Sequence, residues 1–510
     1  MKQVERWGLF EIAVKGPSAG NPFTEHHIEG AFTGAQETVR AEGFYDGDGV
    51  YRVRFMPSFE GEYRYEIAAD FLVEPVNGAF TAVAPSGGNH GPVRVAKQYH
   101  FAYEDGTPYY SVGTTCYVWN HQSDVLIEET LKSLEAAGFN KLRFCVLPKH
   151  FDYNLHEPRS YPYEGTPMDS SVLTDDNYYD YTGDRGGNRF DKTRFNPEHF
   201  RHIEKCILAL QGLGIEADLI MMHPYDRWGF SQMSHAEDAL YWNYCVARFA
   251  AYRNVWWSLA NEYDILKAKT LSDWEFYADV LVKKDPYRHL RSIHHCIYQY
   301  DYSRPWITHC SLQRPAQVAA DYRTQFGKPV VLDEMSYEGD IPWPWGNITG
   351  EEMVRRFWEV AVRGGYPGHG ETYLGHRADL NGRETDVLWW SHGRKLYGES
   401  WKRVRFLLDV MKQFPGHGLQ PQRDMFNVSM AAPEGEFAEA KSAYLIYYGI
   451  MQPREGVVEI DRATPYRVEL VDTWNMTVED AGIHKGRFHI PMPGRQYMVL
   501  RLTRVDGQER

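Results

Sequence analysis

Cysteine is scarce in this chain, and its six cysteines lack the spacing of a metal site. They are scattered over 510 residues without a single Cys-x-x-Cys pair. Zinc sites and disulfide frameworks usually need cysteines that recur at short or regular intervals. The pattern therefore argues against both, and it predicts reduced, buried thiols.

Long apolar runs and long basic runs are missing as well. No stretch is apolar over the length that a bilayer requires, and the first residues contain no apolar signal-peptide core. The 55 basic and 69 acidic residues leave a net charge of −14, which argues against binding to nucleic acid or to an anionic membrane. We expect a soluble, cytoplasmic protein with a non-anionic substrate, either monomeric or a homo-oligomer.

The order of sequence patterns predicts three domains. Residues 1–92 consist of short alternating runs separated by turn clusters, which is typical of an immunoglobulin-like β-sandwich. Residues 93–415 alternate between strands and helices, and residues 416–510 return to short strands that predict a second β-sandwich. For the N-terminal sandwich we prefer a structural role, packed on the central domain, to the alternative of a carbohydrate-binding module.

The central domain has the pattern of a (β/α)₈ TIM barrel, an α/β fold of eight parallel strands that alternate with helices. Asp124 and Asn196 mark helix starts, and Gly138 marks a helix end. One link is irregular, because residues 297–304 are too few for a crossover helix between strands five and six. The predicted strands are 108–114, 140–146, 214–222, 254–262, 289–296, 305–310, 329–334 and 364–373.

Two of these strands end in glutamate. Apolar runs precede both Asn261-Glu262 and Asp333-Glu334, and barrel enzymes carry their chemistry at the carboxyl ends of the strands. Cleavage of a glycosidic bond needs one carboxylic acid to protonate the leaving oxygen and a second carboxylate, roughly 5 Å away in retaining enzymes, to attack the anomeric carbon. We predict Glu262 as acid/base and Glu334 as nucleophile. Asp333 competes for the second role, and strand alternation allows only one of the two to face the cavity.

These motifs resemble those of the clan A retaining glycoside hydrolases. Two features resemble the apiosidase-like barrel proteins, which carry a β-sandwich at each end. They are residues 101–108, Phe-Ala-Tyr-Glu-Asp-Gly-Thr-Pro, and Trp119 after the first strand. The resemblance covers essentially the whole chain. It implies that Asn261 binds the 2-hydroxyl of the sugar and that Arg143 on strand two and His309 on strand six belong to the site. We expect no cofactor and no metal.

Position in the barrel adds candidates for substrate contact. Trp119 and His223 follow strands one and three, and Tyr337 follows the predicted nucleophile. Glu371 on strand eight is a third carboxylate candidate, suited to gripping sugar hydroxyls. The tryptophan that clan members carry close after strand eight has no exact counterpart, and Trp389 is the nearest candidate for a sugar platform.

The predicted function is the hydrolysis of oligosaccharides, of plant origin, by a retaining glycosidase. The long segments 147–196 and 340–348 favour a closed pocket and exo action on short chains. One alternative is a metal-dependent barrel hydrolase that gathers His223, His294, His309 and Asp333, although strand one lacks a His-x-His pair. The other is a non-catalytic carbohydrate-binding protein that has kept both glutamates without turnover.

Overall fold

A computed structural model describes residues 2–151, 157–169, 186–374, 387–423, 428–436, 438 and 440–505. The predicted fold class is confirmed, because eight parallel strands form a barrel and antiparallel sheets precede and follow it. None of the helices in this part of the chain combines the length and the apolarity that a bilayer crossing requires.

The N-terminal sheet folds over on itself as a sandwich. Phe10 stacks on Phe80 with ring centroids 3.9 Å apart, and Phe32 stacks on Phe55 at 4.4 Å. Phe10 and Phe80 lie on strands near opposite edges of the sheet, so their contact joins its two layers. The strand order is Lys2–Glu5, Val76–Val83, Gly61–Ala69, Ile28–Thr33, Thr38–Tyr45, Val50–Phe55 and Phe10–Lys15, and a short helix spans Pro22–Glu25.

A small antiparallel sheet closes the amino-terminal end of the barrel. Its Phe101 ring lies against Trp256 and Tyr366, which belong to barrel strands four and eight, at 5.2 and 4.9 Å. The strand predicted at 108–114 is in fact two elements, because residues 108–109 pair in this sheet and the barrel strand starts at Gly113. The sheet consists of Val93–Ala96, His100–Tyr103 and Pro108–Tyr109.

The barrel strands are all parallel. A bridge between His294 and Ser311 connects the fifth strand to the sixth and closes the barrel. Strands two, three, four and seven are buried along their whole length, as expected for parallel strands covered on both faces. In chain order the strands are Gly113–Thr115, Lys141–Cys145, Glu216–Met222, Val255–Ala260, Arg291–Ser292, Cys310–Gln313, Val330–Glu334 and Tyr366–His369.

The sixth strand lies later in the chain than predicted. The prediction of a strand at 305–310 is wrong, because this apolar run is buried in turns, where Trp306 packs on Tyr300 with ring centroids 5.8 Å apart. The strand is Cys310–Gln313. Residues 293–309, all of which the structure describes, contain no helix. The predicted irregular link between strands five and six is therefore confirmed.

Capping residues set the helix boundaries. Asn196 accepts a hydrogen bond from the backbone N–H of Glu198, and Ser234 forms a capping box with Glu237. Gly138, with φ 81°, ends the first barrel helix as predicted. The helices around the described barrel are Asp124–Ala137, Pro197–Gly212, His235–Phe249, Leu271–Lys284, Ala319–Phe326, Gly350–Val362 and Val404–Met411.

Long connections between the barrel elements carry small sheets of their own. Within 147–196, Tyr163–Thr166 pairs with Arg189–Phe195. After strand seven, Glu338–Gly339 pairs with Glu371–Leu374, which in turn pairs with Val387–Trp389. The residues that follow strands seven and eight are thus held together at the carboxyl end of the barrel.

The C-terminal region has a hydrophobic core of its own. Val458 and Ile490, from a two-stranded pair, contribute to the same core as Leu500 of the larger sheet, so the region has two layers. The larger sheet has the order Leu419–Pro421, Ser429–Pro433, Ala443–Tyr447, Met498–Arg504, Tyr466–Asp472 and Thr477–His484, and the pair is Glu455–Glu459 with Arg487–Pro491.

Buried ion pairs join the N-terminal sandwich to the barrel helices. The guanidinium of Arg54 lies 2.7 Å from Glu204, and that of Arg248 lies 2.6 Å from Glu204 and 2.9 Å from Asp46. Apolar residues of the sandwich and the barrel also form one continuous core. This packing agrees with the structural role preferred for the sandwich.

Candidate active site

The two predicted catalytic glutamates lie at the carboxyl ends of barrel strands four and seven. Glu334 is the last residue of strand seven, and Glu262 follows strand four by two residues. Both side chains are almost entirely buried, with 5% of Glu262 and 6% of Glu334 exposed. Glu262 has a φ of 51°, a left-handed conformation that is uncommon outside glycine and concentrates at functional sites.

Glu334 is held by three hydrogen-bond donors. The hydroxyl of Tyr117 donates to its Oε1, the hydroxyl of Tyr337 donates to its Oε2 at 3.0 Å, and Nη1 of Arg143 donates to Oε1 at 3.3 Å. All three partners are buried. Such a set of donors fixes the carboxylate in one orientation and suits an anionic nucleophile.

Glu262 has a different environment. Tyr225 donates its hydroxyl hydrogen to the carboxylate of Glu262. Burial and the negative charge of Glu334 raise the pKa of Glu262, although the cations Lys149 and Arg143 and the Tyr225 hydrogen bond act in the opposite direction. A carboxyl group with a raised pKa suits the role of a proton donor.

Lys149 is a buried cation that interacts with both glutamates and with the aromatic rings around them. Its Nζ is 3.4 Å from the ring centroid of Tyr117 and 4.1 Å from that of Tyr225, so its two shortest cation–π contacts involve tyrosines that are hydrogen-bonded to a glutamate. Burial lowers the pKa of Lys149 to about 8. The ammonium group therefore contributes a positive charge to the site around neutral pH.

Asn261 presents a buried amide to the site. Its Oδ1 accepts a hydrogen bond from Nη1 of Arg143 at 2.8 Å, which leaves Nδ2 as the outward donor. That Nδ2 has no hydrogen-bond partner among the residues that the structure describes. A buried donor of this kind is costly unless a ligand satisfies it, so Asn261 can donate to a sugar hydroxyl.

The imidazole of His294 lies close to both glutamates. Its Nδ1 lies 3.4 Å from the backbone N–H of Glu262, and its Nε2 lies 3.9 Å from Oε1 of Glu334. Burial holds the pKa of this imidazole well below its usual range. The geometry makes Nδ1 an acceptor and places the ring hydrogen on Nε2, on the side of Glu334.

Asp333, the competitor for the nucleophile, is engaged elsewhere. Its carboxylate lies 2.6 Å from Nζ of Lys141 and accepts the Ser311 hydroxyl at 2.5 Å inside the barrel. Lys141 also contacts Asp218 at 2.8 Å. Asp333 and Glu334 are both buried, but only Glu334 accepts hydrogen bonds from Tyr117 and Tyr337.

Trp389 packs against Tyr117, whose hydroxyl donates to Glu334. Its ring is 5.9 Å from that of Tyr117 and 5.5 Å from that of Phe151. His223 lies one layer further out, because its Nε2 is 3.1 Å from the Leu147 carbonyl and its ring is 6.4 Å from that of Tyr225.

Three predicted substrate contacts are not brought to the glutamates. Trp119 is fully buried, with its ring edge-on to Phe144 at 5.7 Å in the barrel core. His309 precedes strand six and packs on Phe101 and Trp256 at the amino-terminal end of the barrel. Glu371 accepts hydrogen bonds from the backbone, as described below. The substrate contacts predicted for these three residues are therefore corrected. The prediction assumed regular strand boundaries and regular side-chain directions at the ends of the strands.

Glu338 and Glu371 bind the loop at residues 397–400. Glu371 accepts the backbone N–H groups of Tyr397 at 2.5 Å and Gly398 at 3.0 Å. Glu338 accepts from Tyr373, from the backbone of residue 399, and from both the backbone and the hydroxyl of Ser400. We call this arrangement the carboxylate clasp.

One metal-compatible group occurs among the described residues, and it involves the clasp. The ligand atoms of Glu338, His369 and Glu371 lie within 4.8 Å of one another. The four acceptor sites of Glu338 are already filled by N–H and O–H donors. The group therefore fits a loop anchor better than a metal centre.

Sequence reasoning missed two central residues. Tyr117 follows the first strand within an apolar run, and Lys149 lies in a long segment without periodic pattern. The signal for Lys149 was its position four residues after strand two, at the catalytic end of the barrel. Tyr117 has the same kind of signal, because it lies two residues after strand one.

A family model described as "Apiosidase-like, catalytic domain" matches residues 95–414. Together with the barrel fold, this match defines the class: the protein is a glycoside hydrolase, and hence a glycosidase. Within that class the chain belongs to the apiosidase-like family. Two models for domains of unknown function, DUF5060 and DUF5605, match residues 3–70 and 432–503.

Two solved structures are similar to this chain to different degrees. A candidate glycoside hydrolase from Bacteroides vulgatus ATCC 8482 is 36% identical, with a TM-score of 0.88 over 99% of this chain and 100% of that one. A glycoside hydrolase family 5 protein from the same organism is 16% identical, with a TM-score of 0.58 over 81% of this chain and 93% of that one, a likeness of fold alone. No curated protein has a significantly similar sequence.

Proposed function

We propose that the protein is a retaining glycosidase in which Glu334 is the nucleophile and Glu262 is the acid/base. The observation that carries the proposal is the contrast between two neighbouring buried carboxylates. Glu334 receives three donors, whereas the pKa of Glu262 is raised by burial and by the charge of Glu334. Double displacement requires one carboxylate held in place for attack and one carboxyl group able to give up a proton, and these two environments match that requirement.

In the first step an oxygen of Glu334 attacks the anomeric carbon while Glu262 gives its proton to the glycosidic oxygen. The bond between that carbon and the leaving oxygen breaks, and a glycosyl ester of Glu334 forms. The amide Nδ2 of Asn261 donates to the 2-hydroxyl of the sugar, an interaction that strengthens as positive charge develops at the anomeric carbon.

In the second step Glu262 acts as a base. Esterification removes the negative charge of Glu334, so one cause of the raised pKa of Glu262 disappears. The carboxylate of Glu262 takes a proton from water, whose oxygen attacks the anomeric carbon and releases Glu334. The configuration of the sugar is retained.

The proposed substrates are short, non-anionic oligosaccharides of plant origin, cleaved from one end. Because of the family name, apiosides should be included among the substrates that are screened. Exo action is inferred from the length of the segments 147–196 and 340–348, which follow barrel strands two and seven in the chain. We also propose a cytoplasmic location, supported by six cysteines that remain thiols.

The roles are tested with aryl glycosides and the variants Glu334→Gln and Glu262→Gln. We expect Glu334→Gln to lose turnover by about 10⁴-fold or more for every leaving group. We expect the turnover of Glu262→Gln to fall roughly 10²- to 10⁴-fold on an oligosaccharide. The loss should be much smaller on a 2,4-dinitrophenyl glycoside, because its phenolate leaving group departs without protonation. The exposed Glu479→Gln is the matched control.

Stereochemistry separates this mechanism from its competitors. With azide, Glu262→Ala should form a glycosyl azide of retained configuration, and Glu334→Ala one of inverted configuration. Proton NMR of the first product of the wild-type protein should show the anomer of the substrate. An inverted first product, or full turnover by Glu334→Gln, would contradict the proposal.

A further inference from the structure

We propose that Ile297 and Tyr298 form the binding surface for the leaving-group sugar, beside the acid/base Glu262. The inference rests on the proposed function, because it uses the assignment of Glu262 as proton donor. It adds the recognition of the substrate's second sugar, through stacking of its apolar C–H face on the Tyr298 ring.

Both side chains are unusually exposed for their type. Tyr298 is 70% exposed and Ile297 is 60% exposed, whereas the neighbouring Tyr263, Tyr300 and Trp306 are buried. Single exposed apolar residues are common on protein surfaces. Two adjacent exposed apolar residues at the catalytic end of a barrel, held on a rigid backbone, indicate a ligand-binding surface.

The backbone of this loop is fixed by Asp264. Its carboxylate accepts the N–H groups of Cys296, Ile297 and Tyr298, each at 2.7 Å. Charge-assisted bonds of this kind are roughly twice as strong as neutral ones. The loop therefore displays its two apolar side chains in a preset position.

Arg314 holds the same loop from the other side. Its guanidinium donates to the carbonyls of Cys296 and Ile297 at 2.9 and 2.8 Å. Further along, the hydroxyl of Tyr322 donates to Gln299 at 2.6 Å. A surface organised in advance costs less conformational entropy when it binds a ligand.

The loop lies next to the acid/base. Asp264 is two residues after Glu262, and its carboxylate accepts the backbone N–H of Cys296. Burial, and then the charges of Glu262 and Asp264, raise the pKa of the Cys296 thiol to about 12. The acid must stand on the side of the leaving oxygen. Ile297 and Tyr298 follow Cys296 directly and so lie on the leaving-group side.

The opposite side belongs to the nucleophile. Trp345 packs edge-on against Tyr337 at 5.4 Å, and the Tyr337 hydroxyl donates to Glu334. Residues that follow strand seven therefore surround the sugar under attack. The division predicts that changes at Tyr298 affect only substrates whose leaving group is large enough to reach it.

The test compares Tyr298→Ala with Tyr298→Phe on two substrates of the same sugar. One is a disaccharide or short oligosaccharide, and the other is the glycosyl fluoride, whose leaving group is a single atom. For Tyr298→Ala we expect kcat/KM to fall about tenfold on the oligosaccharide and to stay within about twofold on the fluoride, which makes no stacking contact. Tyr298→Phe keeps the ring and should match the wild type on both.

The outcomes separate the inference from the proposed function. Equal losses on both substrates, or no loss on the oligosaccharide, would overturn the leaving-group surface while the glycosidase assignment stands. A wild-type protein without turnover of either substrate would overturn the proposed function itself. Circular dichroism of Tyr298→Ala confirms that the variant is folded before the rates are compared.

Discussion

A carboxyl group keeps its proton near neutral pH only when its surroundings disfavour its charge. For Glu262 these surroundings are burial and the nearby carboxylate of Glu334, opposed by Lys149, the Tyr225 hydrogen bond and Arg143. The balance leaves the pKa of Glu262 raised. Single residues around Glu262 should therefore set the pH range of activity.

Replacement of Lys149 by methionine tests this balance. The variant loses the positive charge that stabilises ionised Glu262, so the pKa of Glu262 should rise further. Because the protonated acid is the active form in the first step, the alkaline limb of the kcat/KM profile should move to higher pH. Lys283→Met, on an exposed helix position, is the control. An alkaline limb that stays in place or moves to lower pH would contradict the role of Lys149.

At the scale of elements, the carboxylate clasp fixes the loop at residues 397–400 to the segments after strands seven and eight. Burial, and then the charge of Glu338, raise the pKa of Glu371 to about 8, while the backbone N–H groups of Tyr397 and Gly398 lower it. The folded protein therefore binds a proton at Glu371 over a pH range in which the unfolded chain has released it.

This proton makes stability depend on pH. A raised folded pKa gives a contribution that is complete below the ordinary glutamate value near 4.5 and is lost as the pH rises through about 8. In Glu371→Gln this contribution is absent. The melting temperature of the wild type relative to Glu371→Gln should therefore fall between pH 5 and pH 8.5. The exposed Glu479→Gln should show no such trend, and a constant difference for Glu371→Gln would refute the raised pKa.

The elements also show how far sequence reasoning reaches. Strands four and seven were predictable because each is an apolar run, which burial on both faces requires. An acidic residue at or just after the carboxyl end of each run then marked the candidate site. Strand six was misplaced because Trp306 is buried by loop packing, which produces the same apolar signal. Lys149 and Tyr117 follow strands two and one at the catalytic end of the barrel, but tertiary packing decides which of the residues there contact the glutamates.

At the scale of the whole molecule, the N-terminal sandwich and the barrel share buried charges. Glu204 lies between Arg54 of the sandwich and Arg248 of the barrel. Burial would raise the pKa of Glu204, but the two arginines lower it overall. Its contribution to stability is thus present above the ordinary glutamate pKa and is lost as the pH falls through the lowered value.

Replacement of Glu204 by glutamine should destabilise both regions together. The change leaves two buried guanidinium groups without their shared anion, at a cost of about 3–5 kcal/mol in the free energy of unfolding. Chemical denaturation followed by tryptophan fluorescence measures it. The control is Glu29→Gln, which removes an exposed ion pair with Arg40 and should cost under about 1 kcal/mol. Equal effects of both changes would show that the interface charges add little.

The left-handed backbone at Glu262 has a consequence for how this protein changes over generations. Glycine and asparagine adopt such a conformation more easily than glutamate does. Replacements that abolish catalysis at this position can therefore relieve strain and relieve the burial of a carboxyl group. Under the proposed mechanism, a substitution here would exchange activity for stability, so a selection for heat resistance alone should favour loss of the glutamate.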